Sequence, residues 1–214
     1  MSDHRPSRPR PAWRSPQAWA VLLAATAVLL AADLITKHLA FERIAPTPVE
    51  LDRALVMSAD RPGELLPRHE PVVVVPHVLE LTLVLNEGAV FGIGAGKRWF
   101  FVAFTFLALG FVLWIFARST HARERVAHLG AAMLIAGGLG NMYDRLRFAC
   151  VRDFLHPLPT AKIGDWVVWP YVSNIADLWV LIGIVILLIH AWRPAPSTLT
   201  PQTKETPSSS ADDG

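Results

Sequence analysis

Two aspartates stand where an apolar chain has reason not to carry them. Asp153 ends Val151-Arg152-Asp153 just past one apolar run, and Asp177 comes about five residues into another, after Ser173-Asn174-Ile175-Ala176. On insertion scales a carboxylate inside a bilayer costs roughly 2.5–3.5 kcal/mol. Two carboxylates side by side cannot both ionise easily, so the pair keeps a proton, and one member acts as base while the other acts as acid. That chemistry activates water for attack on a peptide carbonyl without a metal or a nucleophilic side chain. The plainer reading makes each aspartate half of a structural ion pair, with Arg152 or Arg145 as its partner.

Further polar residues sit close to these two in the pattern. Asn174 precedes Asp177 by three and shares its helical face, within reach of the pair or of a substrate backbone. Asp33 and Lys37 are four apart, on one face of a helix and able to pair. Asn86-Glu87-Gly88 reads as a turn. Asn141, Asp144 and Arg145 follow Gly137, Gly138 and Gly140, small residues that permit close helix approach or an unwound end. Asn141 is as readily a cap as a functional group, and Asp144 with Arg145 reads equally as an interfacial ion pair. Cys150 is the one cysteine, has no partner motif and reads as inert. No serine sits in a Gly-x-Ser-x-Gly elbow. The eight histidines are scattered, with no His-Glu-x-x-His and no i, i+4 pair, so no metal site is expected.

The elements that must position these groups are apolar helices. The chain of 214 residues is 52% hydrophobic, too apolar for an average soluble domain, and its net charge is +2. No basic run interleaved with aromatics points to nucleic acid. Four runs approach the roughly 20 residues that span a bilayer: Ala18 to Leu39, Trp99 to Ala117, Val126 to Met142, and Val172 to Trp192. The third is short and glycine-rich. The first, preceded by Arg5, Arg8, Arg10 and Arg14, resembles a signal peptide but exceeds a usual apolar core of about 7–15 residues, so a first span is favoured. Four spans put both tails on one side. Raw counts of Lys and Arg are near parity across the membrane, but density near span ends (the N-terminal arginines, then Arg118, Arg123 and Arg125) favours cytoplasmic tails. In that orientation every intramembrane polar group gathers at the outer face, with Asp177 about 7–8 Å below it, and nothing comparable lines the inner halves. A proton or ion path needs polar groups through the full thickness.

The expected organisation is a disordered tail over 1–17, a membrane domain over 18–193 with a long external loop at 42–76, and a disordered Pro-, Ser- and Thr-rich tail over 194–214. Within the loop, the part up to Pro71 reads as irregular, whereas Val72–Val75 and Val78–Leu85 read as strands of a small sheet on the membrane surface. Trp99, Trp166, Trp169, Tyr171 and Trp192 fall near span boundaries as an aromatic belt. No internal repeat is evident.

Five segments in this order, within about Ala31 to Ile189, resemble the lipoprotein signal peptidase (signal peptidase II) family: Asp33-Leu34-Ile35-Thr36-Lys37, Asn86-Glu87-Gly88-Ala89-Val90-Phe91-Gly92, Gly137 through Arg145, Val151-Arg152-Asp153-Phe154, and Asn174-Ile175-Ala176-Asp177. The resemblance implies an aspartic endopeptidase of the bacterial inner membrane. Such an enzyme removes signal peptides from prolipoproteins, cutting before a cysteine that already carries a diacylglyceryl group. It implies Asp153 and Asp177 as the catalytic pair. Asn86, Gly88, Asn141, Arg145 and Asn174 would orient the pair and substrate, and Asp33, Lys37 and Asp144 would support them. The implied fold is four transmembrane helices with an external β-cradle and a periplasmic helix; the implied setting is membrane lipid, with no cofactor and a monomeric chain. Two departures stand out: Ser173 replaces the usual Phe, and the loop up to Pro71 is longer than typical. The rival reading is a non-catalytic polytopic membrane subunit or a small transporter, which would carry polar groups deeper in the bilayer.

Overall fold

The computed structural model describes residues 10–88 and 98–192. Three of its helices begin where the sequence supplies a side-chain cap. Ser15 accepts the Ala18 amide and Pro16 fills the first turn, so α1 (Pro16–Arg43) starts two residues before the apolar run and extends for 28 residues. The expected tail ends earlier still, because Ala12–Arg14 form a 3-10 turn that is strapped to the distant loop at residue 120. The Ala12 amide donates to Thr120 (2.9 Å) and the Ala122 amide to Arg10 (2.9 Å).

The long loop is more regular than its mixed charges suggest. Asp52 caps a short helix, α2 (Arg53–Ser58), by accepting the Ala54 and Leu55 amides, and a 3-10 turn follows at Pro62–Leu65. His69 then ties the loop to the sheet, accepting the Leu83 amide at 3.0 Å. β1 (Val72–Val75) and β2 (Leu79–Asn86) form an antiparallel pair, as the sequence indicates. α3 (Arg98–Ser119) and α4 (Arg125–Phe148) come next, and Ala149, in the left-handed region at φ 68°, stops α4. β3 (Val151–Pro157) completes a sheet of order β1-β2-β3, with Val84 opposite Asp153 and Asn86 opposite Val151. This strand is absent from the sequence reading. It exists because β2 offers it an open edge, a tertiary cause that no local pattern in seven residues carries. A hairpin of β4 (Lys162–Ile163) and β5 (Trp166–Val167) leads to α5 (Ile175–Ala191).

α4 is the central helix. It packs on α1, α3 and α5, while α3 and α5 scarcely touch each other. Glycines explain the close packing: a Cβ at Gly137 would strike the Ala176 carbonyl, and one at Gly140 the Asp33 carboxylate. Between α3 and α5 an apolar groove of about 1150 Å³ therefore runs along α4. Two apolar clusters bracket a polar layer. One joins Leu22, Val112, Phe116 and Ile135 near the strap; the other joins Phe41, Val56, Leu83, Leu85 and Phe154 under the sheet. Many outward side chains are apolar, including Leu107 (75% exposed) and Val28 (68%), the reverse of a water-facing surface.

Two helices, α1 and α3, are long and apolar enough to cross a membrane; α5 is apolar but has 17 residues. α4 spans 24 residues but carries Asp144, Arg145 and Arg147 in its last turns.

Candidate active site

The polar layer is one connected network, built from both ends of the sequence. α5 begins with a capping box: the Asp177 amide donates to Asn174 Oδ1 (3.1 Å), and the Asn174 amide donates to Asp177 Oδ2 (3.2 Å). Asp177 is therefore the third residue of its helix rather than a group several residues into a span. The apolar run that starts at Val172 misplaces the helix start because Ser173 pairs with β3 and Asn174 caps the helix. Ser173 does this through main-chain atoms, its carbonyl accepting from Phe154 and Leu155 (both 2.8 Å), which explains how the small side chain is accommodated.

Asn174 also donates its side-chain amide to Asp153 Oδ1 at 2.5 Å. Asn86 donates to the other Asp153 oxygen at 2.9 Å, and its own carbonyl oxygen accepts the Gly88 amide at 3.0 Å. Asn141 donates to Asp177 Oδ1 at 2.8 Å, while its carbonyl oxygen accepts from Asn174 (3.1 Å) and from the Lys37 ammonium (2.9 Å). Three asparagines thus hold two aspartates that belong to different elements, β3 and α5. Asp153 is sealed (1% exposed), whereas Asp177 is half-buried and lines the groove together with Asn141 and Arg145.

Burial, and next the Asp177 charge, push the Asp153 carboxyl up to about 7; the bonds from Asn86 and Asn174, and Lys37, pull it back in part. Cys150 is sealed behind the site, and burial pushes its thiol up to about 12, which leaves it unreactive.

The surrounding charges form a supporting chain. Lys37 lies 2.9 Å from Asp33 and 3.4 Å from Asp144. Asp33 in turn accepts the Ala176 amide at 3.0 Å, fixing the first turn of α5. Asp144 takes the Arg152 guanidinium at 2.8 and 3.1 Å and the Arg152 amide at 3.0 Å. Arg145 donates to the carbonyls of Gly88 (2.8 Å) and Asn141 (3.4 Å), bracing the turn that holds Asn86. Asp144 and Arg145 are therefore not each other's partner. Adjacent on α4, they have separate tasks because β3 delivers Arg152 to Asp144. Among the described residues neither Asp153 nor Asp177 is ion-paired with an arginine, so the glue reading fits Asp144 and not the two aspartates.

Every residue singled out in the sequence (Asp33, Lys37, Asn86, Gly88, Asn141, Asp144, Arg145, Asp153, Asn174, Asp177) lies in this network. Ala89-Val90-Phe91-Gly92 lies outside the described residues. Arg152, read in the sequence as a partner for one of the two aspartates, pairs with Asp144 instead, because β3 turns neighbours 152 and 153 to opposite faces. No group of three or more His, Cys, Asp or Glu among the described residues is arranged to hold a metal.

The fold is that of a bacterial membrane enzyme. Two solved structures with that description match the chain with TM-scores of 0.60 and 0.59, each at 22% identity, covering 86% and 82% of this chain and 92% and 95% of theirs. The model of one family, described as signal peptidase (SPase) II, matches residues 25–193. A lipoprotein signal peptidase of Halothermothrix orenii is 34% identical over 144 residues, 67% of this chain and 87% of that protein. One of Streptococcus pyogenes is 34% identical over 120 residues, 56% and 72% of the two chains. The chain belongs to the signal peptidase II family and is a peptidase.

Proposed function

We propose that Asp153 and Asp177 are the catalytic pair of an aspartic endopeptidase that removes signal peptides from prolipoproteins, cutting before a diacylglyceryl-modified cysteine. The observation that carries this reading is the shared asparagine: Asn174 donates to Asp153 and caps the helix that begins with Asp177. Asp153, the member pushed up to about 7, holds the proton and donates it to the scissile carbonyl oxygen. Asp177, on the groove, takes a proton from the attacking water. The tetrahedral intermediate then collapses as the roles exchange, the amine leaves protonated, and no cofactor takes part. Asn141 and Asn174 keep the carboxylates from turning away, and Arg145 holds the Gly88 turn.

The setting is the bacterial inner membrane, with α1, α3, α4 and α5 as four spans, the sheet and α2 at the periplasmic face, and both tails in the cytoplasm. The strap supports this topology, because it joins the N-terminal segment to the α3–α4 loop and so puts them on one side. The chain works as a monomer in contact with lipid.

Purified Asp153→Asn and Asp177→Asn should each lose cleavage of a diacylated precursor by at least about 10³-fold while remaining folded in the membrane fraction. Retained cleavage by either would end the assignment. Equal cleavage of diacylated and unlipidated precursors would remove the lipid requirement. Depletion of the protein should make unprocessed prolipoprotein accumulate, the opposite of what a non-catalytic subunit predicts.

A further inference from the structure

The groove continues far past the aspartates. It follows α5 from Asp177 to His190, about 20 Å at 1.5 Å per residue. Between these ends it is lined by apolar groups such as Phe104, Leu109, Val112 and Val180. At its far end it is lined by Ser119, His121, Glu124 and His190. Glu124 is the one carboxylate at that end among the described residues; every other one belongs to the polar layer, the sheet or the loops around them. Its local contacts all fall on Oε2: the His121 amide at 2.7 Å, and the rings of His121 and His190 at 3.5 Å each. Oε1 takes none among the described residues, and the side chain is 35% exposed.

Arginines crowd the same end, yet charge is sorted. Arg123 and Arg125 line a separate cleft against Gln17 and Val21 of α1, and no arginine lines the groove beyond Arg145 at the aspartate end. The groove therefore ends in a lone acid, with the basic groups turned to its neighbour.

We propose that Glu124 is a substrate-selecting residue that receives the cationic n-region of the signal peptide. This rests on the reading of the groove as the seat of a signal peptide cut at the aspartates. A signal peptide has an apolar segment of about 7–15 residues preceded by Lys or Arg, and as a helix that segment is about 10–22 Å long. Laid along the groove with its cleavage end at Asp177, it brings its basic residues to Glu124. The contact discriminates at the binding step and touches no reacting atom.

The test uses diacylated precursors with one lipobox and three n-regions, Lys-Arg, Gln-Gln and Glu-Glu, with the full-length protein in zwitterionic nanodiscs. For the unsubstituted protein, KM should be lowest for Lys-Arg and about twofold to fivefold higher for Gln-Gln, as for a partly exposed ion pair, with kcat unchanged. Glu124→Gln should flatten the dependence, and Glu124→Lys should invert it, so that Glu-Glu becomes the better substrate. A thermal unfolding midpoint in nanodiscs equal to that of the unsubstituted protein shows that both variants are folded. A KM indifferent to n-region charge in the unsubstituted protein overturns the proposal. So does a charge dependence that persists in both variants, which would assign it to lipid or to the arginines. Failure of the unsubstituted protein to cleave any of the three precursors would instead count against the peptidase reading itself.

Discussion

Asn174 does three things with one side chain: it caps α5, donates to Asp153, and leans on Asn141. Asn86 does less, and is therefore the cleaner probe. Its bond favours ionised Asp153 and so holds that carboxyl down. In Asn86→Ala the Asp153 carboxyl should rise above about 7. Because the proposed reaction needs Asp153 protonated, the alkaline limb of kcat/KM should move to higher pH, by about one unit for one charge-assisted bond. A limb that stays in place or moves down would argue against Asp153 as the proton donor. At this scale the sequence was highly legible, since Asn-x-x-Asp is both a capping box and a site motif. What it hid was partnership. Asp144 and Arg145 are adjacent and of opposite charge, but Arg152 reaches Asp144 only after a left-handed turn at Ala149 reverses the chain.

Glycine sets how closely the elements approach. A Cβ at Gly137 would meet the Ala176 carbonyl and would lie 2.7 Å from Val180. Gly137→Ala should cost about 1–3 kcal/mol by overpacking and displace the start of α5, and with it Asp177. Gly110 on α3 has nothing within 4 Å, so Gly110→Ala should be neutral or stabilising by up to about 1 kcal/mol. Thermal unfolding in detergent, paired with cleavage rates, checks both; equal effects would mean that close approach at Gly137 is unimportant. The apolar helices were legible because about 20 apolar residues admit few other readings. α2 and β3 were not. The first is six residues that depend on the Asp52 cap, and the second is a charged segment that becomes a strand only when β2 lies beside it.

On the scale of the whole molecule, many outward helix side chains are apolar, and the buried carboxylates, Lys37, Arg145 and Arg152 lie within a layer between two apolar clusters. Its sidedness is open to chemical labelling, because the single cysteine is buried and inert. In intact cells a membrane-impermeant maleimide should label Ser58→Cys, on exposed α2, but should reach Arg123→Cys only after permeabilisation. Cys150 should stay silent throughout. The opposite pattern would invert the topology.

The capping box that opens α5 has one further consequence. α5, made after β3, supplies Asp177, and its N-cap Asn174 supplies the amide that steadies Asp153. A half-made or half-inserted chain holds one unsupported carboxylate and no partner for it. On the proposed assignment, hydrolytic power waits until α5 has been made, and a product cut short before it poses no proteolytic hazard to the membrane around it.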